Sequence, residues 1–217
     1  MKFKFKISPS NAFQQQFNTN YLNPIEVDDI ETFKSICTYD YVCASYKNNY
    51  RCKANFLSAN CVPFDIDNDH SDKQEDWLDV KDVADFFYGV PFLVQYSRHH
   101  MKQKDNKSPR PRFHVIFPID EMTSEEDYRN LKTRIHSIFP YVDEKALDSA
   151  RFFYGTSAPE VDYVEGDRTL TDFLKELDEE DSFANLDDSS VITEGSRNST
   201  MHKYAVKVLK RYGLSEE

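Results

Sequence analysis

The 217-residue chain is predicted to form a mixed domain of the α/β or α+β class. Strand-like and helix-like segments alternate along the sequence, an order that both classes share. Hydrophobic residues make up 39% and aromatic residues 14%, which is enough for a proper core and excludes a wholly disordered chain. With five glycines and neither GxGxxG nor GxxxxGK[ST], the chain lacks the loops of the two commonest nucleotide-binding folds.

Five segments have the alternation of apolar and polar residues, or the short apolar run, that predicts a β-strand. They are residues 2–7, 39–46, 61–67, 91–96 and 113–118. The first of them, MKFKFK, alternates Lys with Phe and lacks the apolar stretch of a signal peptide.

Four segments have the periodicity of amphipathic helices. They are residues 26–36, 74–88, 123–138 and 168–178. Thr123 is the predicted N-cap of the third, because Glu126 follows three residues later as in a capping box. The acidic, Ser-rich stretch 178–193 predicts a linker.

The net charge of −11 is unevenly distributed. Residues 162–190 hold eleven acidic and two basic residues, whereas residues 98–112 hold six Lys or Arg and one Asp. A local basic loop can contact phosphates whatever the total charge, although such a loop can also be merely solvated. The candidates for DNA contact in this loop are Arg98, Lys102, Lys104 and Lys107.

The cysteine content and hydropathy indicate a cytoplasmic protein without a membrane partner. No apolar run approaches the roughly 18 residues of a membrane span. The four cysteines contain no CxxC pair, so reduced thiols are expected and a zinc site is not. They are Cys37, Cys43, Cys52 and Cys61.

The segment VPFDID predicts a cation site at the end of a strand. Asp65 and Asp67 are two residues apart, so a strand places both carboxylates on one face. Two like charges on one face are costly unless a cation lies between them, and a divalent metal is the usual one. Two alternatives are a calcium loop that also uses Asp69 and Asp76, with His70 at its glycine position, and a purely structural cap of the next helix.

A second motif, RPRFHVIFP, follows the basic loop. On a strand, Arg110, Arg112 and His114 share one face, at steps of about 7 Å, and Phe113, Val115 and Phe117 share the core-facing one. Guanidinium and imidazole groups spaced in this way suit a polyphosphate. The alternative is a core histidine flanked by solvated arginines.

The third motif, VDEKALDSARFF, offers one further carboxylate. Either Asp143 or Asp148 could complete a two-metal site, which needs about three acidic ligands, and either could instead cap a short helix. Arg151 lies eight residues after Asp143 and enters an aromatic strand.

Three motifs occur in order along the chain: Asp-x-Asp, then x-x-His on a basic strand, then an apolar residue with Asp, followed by Arg. Together they resemble the archaeo-eukaryotic primase superfamily. Within it, the chain looks like the primase-polymerases of phages and plasmids, over about residues 50–155. The resemblance implies an α+β catalytic core built around an RRM-like antiparallel sheet. The eight-residue gap to Arg151 favours Asp143 over Asp148 as the third carboxylate.

The resemblance also implies a role for each matched residue. Asp65, Asp67 and Asp143 would be the catalytic ligands of two Mg²⁺ or Mn²⁺ ions. The triphosphate of a dNTP or NTP would contact four basic side chains: His114, Arg112, Arg110 and Arg151. The expected function is primer synthesis and extension on a single-stranded DNA template by two-metal nucleotidyl transfer.

The implied domain organisation is a catalytic domain at 1–165, an acidic helix and linker at 166–193, and the start of a helical primase C-terminal module at 194–217. Such modules often precede a helicase, so the sequence is expected to be a fragment of a longer chain that includes a helicase domain. Two other functions fit the same carboxylates: a metal-dependent nuclease, and a replication-initiation module that binds DNA without catalysis.

Overall fold

A five-stranded antiparallel sheet forms the centre of the molecule in the computed structural model, which describes residues 4–184 and the side chains of residues 4–178. The strands are β4 (Ser45–Tyr46), β5 (Phe56–Ile66), β6 (Phe92–Tyr96), β7 (Phe113–Met122) and β9 (Val161–Val164), in the order β4-β5-β7-β6-β9. Both faces of β5 and β7 are buried where the two strands pair, which explains their nearly continuous apolar sequence.

A smaller antiparallel sheet packs against the first. Its strands are β1 (Phe5–Pro9), β2 (Ile25–Val27), β3 (Tyr41–Val42) and β8 (Phe152–Phe153), in the order β2-β1-β3-β8. One hydrophobic cluster joins the two sheets, because Ile7 and Phe153 from the smaller sheet pack in it with Leu93 and Ile116 from the larger.

Four α-helices complete the described residues: α1 (Ile30–Ile36), α2 (Val80–Phe86), α3 (Glu125–Ile138) and α4 (Leu170–Ala184). Asp29, Asp79 and Ser124 cap the first three by accepting backbone N–H groups. A second aromatic core joins helix residues to the larger sheet, since Phe87 contacts Phe117, Phe139 and Phe173 with ring centroids 4.8–5.4 Å apart. Residues up to Phe173 form one compact unit, and the boundary to the next falls within α4.

The α+β class is confirmed, with two antiparallel sheets and four helices in the described residues. The helix predicted over 74–88 is wrong in its first half, where a 3₁₀ turn at Gln74–Asp76 precedes α2. Ser124, not Thr123, is the N-cap of α3, and α4 extends past residue 178 to Ala184. The aromatic strand expected after Arg151 is β8. Two short strands, β2 and β9, were not predicted, since a strand of three or four residues shows no clear alternation.

Between residues 4 and 184, the structure contains no helix of the length and apolar character needed to span a bilayer. The predicted linker beyond residue 184 and the predicted C-terminal module at 194–217 lie outside the described residues.

Candidate metal centre

Three carboxylates meet at the end of β5. Asp65 pairs across the sheet with His114 of β7, and Asp67 follows directly after the strand. The Asp143 backbone N–H donates a 2.8 Å hydrogen bond to the Asp65 carbonyl oxygen, which fixes the third carboxylate beside the first two. Carboxylate oxygens of Asp65, Asp67 and Asp143 all lie within 4.8 Å of one another, so this group could hold a metal ion.

Asp65 has the most unfavourable environment of the three. Its side chain is 8% exposed, and its Oδ1 atom is buried without a hydrogen-bond partner. Burial, together with the negative charge of Asp67, raises the pKa of Asp65 to about 7, against the opposing effect of Arg151. A buried carboxylate with an unused oxygen and like-charged neighbours is a chemically suitable ligand for a divalent cation.

Two cationic side chains partly balance the carboxylates. Arg151 places Nη2 3.2 Å from Asp65 Oδ2 and 3.9 Å from Asp143 Oδ2. Lys104 places Nζ 2.6 Å from Asp67 Oδ2. All five side chains line a pocket of about 460 Å³, which falls in the usual range of small-ligand sites.

His114 lies at the floor of this pocket with its Nε2 atom 3.5 Å from Asp65 Oδ1. Burial is the main reason that the pKa of His114 falls to about 3, although Asp67 raises it. The ring is therefore neutral in the ligand-free protein at pH 7. Its other nitrogen, Nδ1, lies 3.1 Å from Gln95 Oε1.

The segment from Asp143 to Arg151 contains only a short 3₁₀ turn, Glu144–Leu147, and is held by side chains from elsewhere. Lys132 Nζ donates to the carbonyl oxygens of Ala146 and Asp148, at 2.8 and 3.1 Å. The burial of Lys132 lowers its pKa to about 8.

Two further side chains hold the end of this segment. The Tyr46 hydroxyl donates to the Ser149 carbonyl oxygen, and Arg51 Nη1 donates to that of Ala150, both at 2.8 Å. Together with Lys132, they fix the segment from Asp143 to Arg151, whose two end residues both line the pocket. Sequence reasoning assigned no role to Lys132 or Tyr46.

The structure separates the two candidates for the third carboxylate. Asp143 joins Asp65 and Asp67, whereas Asp148 lies 3.6 Å from Lys53 and accepts the Ala150 backbone N–H. The calcium-loop alternative is not formed either. Asp69 contacts Arg110 and Arg112 at 3.8 and 3.6 Å, and Asp76 accepts from the Ser71 hydroxyl.

The strand predicted to place Arg110 and Arg112 beside His114 begins only at Phe113, so both arginines precede it. Their side chains are 1% and 0% exposed. Arg110 Nη2 lies 3.0 Å from Asp72 Oδ1, and its Nη1 donates to the Asn68 carbonyl oxygen. Arg112 Nε lies 3.5 Å from Asp67 Oδ1. Neither side chain is among the described residues that line the pocket, so their nucleotide contacts stay a prediction.

The basic loop is divided between the pocket and its surroundings. Arg98 lines the pocket and packs its guanidinium 4.1 Å from the centre of the Tyr154 ring. Lys104 also lines the pocket. Lys107 lies 3.6 Å from Asp72, and Lys102 is exposed. The DNA contacts of these four residues stay a prediction.

Comparisons of the chain with protein-family models, with curated proteins and with solved structures found no match.

Proposed function

We propose that the chain is a primase-polymerase, which transfers nucleotides from dNTPs or NTPs to a growing strand on a single-stranded DNA template. One observation carries the proposal: Asp65, Asp67 and Asp143 converge in a pocket whose other walls include Arg98, Lys104 and Arg151. A site with three carboxylates beside several cations suits metal ions bound together with a polyphosphate.

The topology supports the same function. The order β5-α2-β6-β7-α3, with β7 between β5 and β6 in the sheet, is the βαββα arrangement expected of an RRM-like core. The carboxylate ligands and His114 then lie on the paired central strands β5 and β7, or directly beside them. This rigid sheet suits a site whose groups must be held accurately.

The carboxylates would hold two Mg²⁺ or Mn²⁺ ions. Bound there, the ions activate a 3′-hydroxyl and neutralise the charge on the departing pyrophosphate. The buried Asp65 Oδ1, which lacks a hydrogen-bond partner, fits this role.

The residues around the carboxylates would bind the triphosphate. Arg151 and Lys104 form ion pairs with the carboxylates in this structure, and phosphate oxygens are equally suitable partners for both cations. His114 presents Nε2 beside Asp65. A template strand would pass the basic loop at Arg98. A helicase domain in a longer chain would be the partner of this activity.

The decisive experiment offers the full chain a single-stranded DNA template with and without a primer. Mg²⁺ or Mn²⁺ is supplied with dNTPs or NTPs, and the products are resolved by length. We expect template-dependent extension, which Asp143→Asn abolishes and the matched control Asp148→Asn preserves.

Three other outcomes would reject the proposal. Metal-dependent shortening of the primer would indicate a nuclease. DNA binding without metal dependence and without any product would indicate a replication-initiation module. Loss of extension in Asp148→Asn but not in Asp143→Asn would show that the carboxylates of the pocket do not act as described.

A further inference from the structure

Three buried polar side chains form a hydrogen-bonded row that ends at His114. Tyr41 comes from β3 of the smaller sheet, Gln95 from β6 and His114 from β7. Gln95 and His114 are cross-strand partners, and His114 is in turn the partner of Asp65. Tyr41 and Gln95 are both 0% exposed. The row therefore connects the interior of the smaller sheet to the metal centre.

The orientation of the Gln95 amide follows from its neighbours. The Tyr41 hydroxyl lies 2.5 Å from Oε1, and Nε2 donates to the Tyr154 carbonyl oxygen at 3.5 Å. If the amide were reversed, its oxygen would face that carbonyl oxygen, and two acceptors would meet without a hydrogen between them. This contact and the short contact with Tyr41 favour the amide oxygen as the atom that faces Tyr41 and His114.

This orientation fixes the hydrogen on the imidazole ring. Gln95 Oε1 can only accept, so His114 Nδ1, at 3.1 Å, must carry the hydrogen and donate it. In the neutral ring Nε2 then has the free lone pair and faces the pocket. Asp65 Oδ1 lies 3.5 Å from it, so these two acceptors can interact favourably only through a shared proton or a cation. The Phe153 ring, with its centroid 4.6 Å from that of the imidazole, packs against His114 and restricts its rotation.

We propose that Gln95, supported by Tyr41, is a positioning residue that holds His114 as the Nδ1–H tautomer with Nε2 directed at the bound ligand. Because Nδ1 already carries a hydrogen, Gln95 Oε1 can accept it whether or not Nε2 is also protonated. A triphosphate oxygen only accepts, so Nε2 must take up a proton from solvent to donate to it, and the ring keeps one orientation through that change. The identity of that ligand, the nucleotide triphosphate, rests on the proposed function, whereas the tautomer does not.

The tautomer can be measured without metal or nucleotide, from long-range ¹H–¹⁵N correlations of the histidine rings in the ¹⁵N-labelled full chain. We expect the Nδ1–H form for His114 in the wild type and in Gln95→Glu, which keeps an acceptor. We expect the Nε2–H form, or a mixture, in Gln95→Leu. A wild-type ring with its hydrogen on Nε2 overturns the proposal, whether or not any variant folds.

Persistence of the Nδ1–H form in a folded Gln95→Leu would also overturn it. Tyr41→Phe, which removes only the hydroxyl, should broaden or shift the His114 signals if Tyr41 supports the amide. Tyr96→Phe is the matched control, because its hydroxyl donates to Asp162 outside the row. Unchanged His114 signals in Tyr41→Phe would remove Tyr41 from the proposal.

Titrating dGTP and Mn²⁺ separately tests whether the positioning of His114 by Gln95 affects nucleotide binding. Gln95→Leu should weaken dGTP binding about tenfold, the scale of one misplaced hydrogen bond, and leave Mn²⁺ affinity nearly unchanged. Recovery of dGTP binding in Gln95→Glu would support a positioning role. If the tautomer shifts but dGTP affinity does not, Gln95 still positions His114 and the proposed nucleotide contact is wrong.

Discussion

Two buried charged groups lie near the ends of β5 and β7: Asp65 in β5, and Arg110 just before β7. They differ in whether the protein supplies hydrogen-bond partners for the whole charged group. Arg110 is 1% exposed, and its guanidinium donates to the carbonyl oxygens of Asn68 and Ser71 and to the Asp72 carboxylate. Asp65 is nearly as deeply buried, but its Oδ1 accepts no hydrogen bond, and two other carboxylates lie close to it. The Arg110 guanidinium is fully paired within the protein, whereas the three carboxylates have capacity for a cation.

This difference distinguishes structural charge from functional charge. A buried charge with a full set of partners stabilises the fold around it, and removing it leaves those partners unpaired. A buried charge that lacks some of its hydrogen-bond partners lowers the stability of the fold. Such groups are typical of binding sites. The four predictions that follow test this distinction, in order of decreasing expected effect.

The largest effect is expected from removing carboxylates of the metal centre. Asp65→Asn combined with Asp143→Asn should lower nucleotidyl transfer about a thousandfold or more, because the metal-held charge stabilisation is lost. Primer extension by the folded double variant measures this. Activity close to the wild-type value would show that these carboxylates are not the catalytic ones.

The next largest effect is expected from replacing Arg110, whose guanidinium is fully paired. Arg110→Leu should lower the free energy of unfolding by about 2–4 kcal/mol, because the buried Asn68 carbonyl oxygen loses its donor and the packing of the buried guanidinium is lost. Urea unfolding measures it, with Lys81→Leu as a control at an exposed ion pair of small energetic value. If Arg110→Leu is as stable as the wild type but cannot bind dGTP, the arginine contacts the nucleotide after all.

A smaller effect of opposite sign is expected from Asp65→Asn alone in the metal-free protein. The folded-state pKa of Asp65 is raised from 3.8 to about 7, so the folded state binds more protons than the unfolded state between these values. The wild type therefore loses stability as the pH rises through this window.

Asp65→Asn should remove that loss and raise the free energy of unfolding at pH 8 by about 1–3 kcal/mol, with little gain at pH 4. Chemical unfolding in the presence of a chelator at both pH values measures the difference. Equal stability changes at pH 4 and pH 8 would show that ionisation of Asp65 is not the cause.

The smallest effect concerns the ion pair of Lys104 with Asp67. Lys104→Gln should strengthen Mn²⁺ binding in the absence of nucleotide by up to about fivefold, because the ammonium group competes for the same carboxylate. The same variant should weaken dGTP binding by a similar factor. Lys102→Gln, at an exposed position of the same loop, is the control. Weaker Mn²⁺ binding in Lys104→Gln would contradict the competition.

The sequence predicts the pair Asp65 and Asp67 well because strand alternation is a local rule. Side chains two positions apart in a strand point to the same face. The sequence cannot predict the burial of Arg110 and Arg112, since their partners Asp69 and Asp72 are about 40 positions away. Strand alternation cannot be applied to either arginine, because both precede the first residue of β7.

The supporting residues were missed for two different reasons. Gln95 and Tyr41 meet 54 positions apart, and no short-range pattern indicates such a contact. Lys132 could have been found, because it falls at helical spacing between Tyr128 and Ile135 on the buried side of α3. A lysine in that apolar stripe indicates a buried cation with specific acceptors.

The long-range bonds that hold Asp143 and Arg151 in place have a consequence for how the site assembles during folding. Tyr46 reaches the Ser149 carbonyl oxygen across 103 positions, and Asp40 accepts the Gly155 backbone N–H across 115. Closing such long loops is entropically costly, so these contacts form late. Metal affinity in a refolding experiment should therefore develop with the slowest folding phase, after β5 and β7 have paired. A nascent chain that ends before residue 143 would carry Asp65 and Asp67 without their third partner.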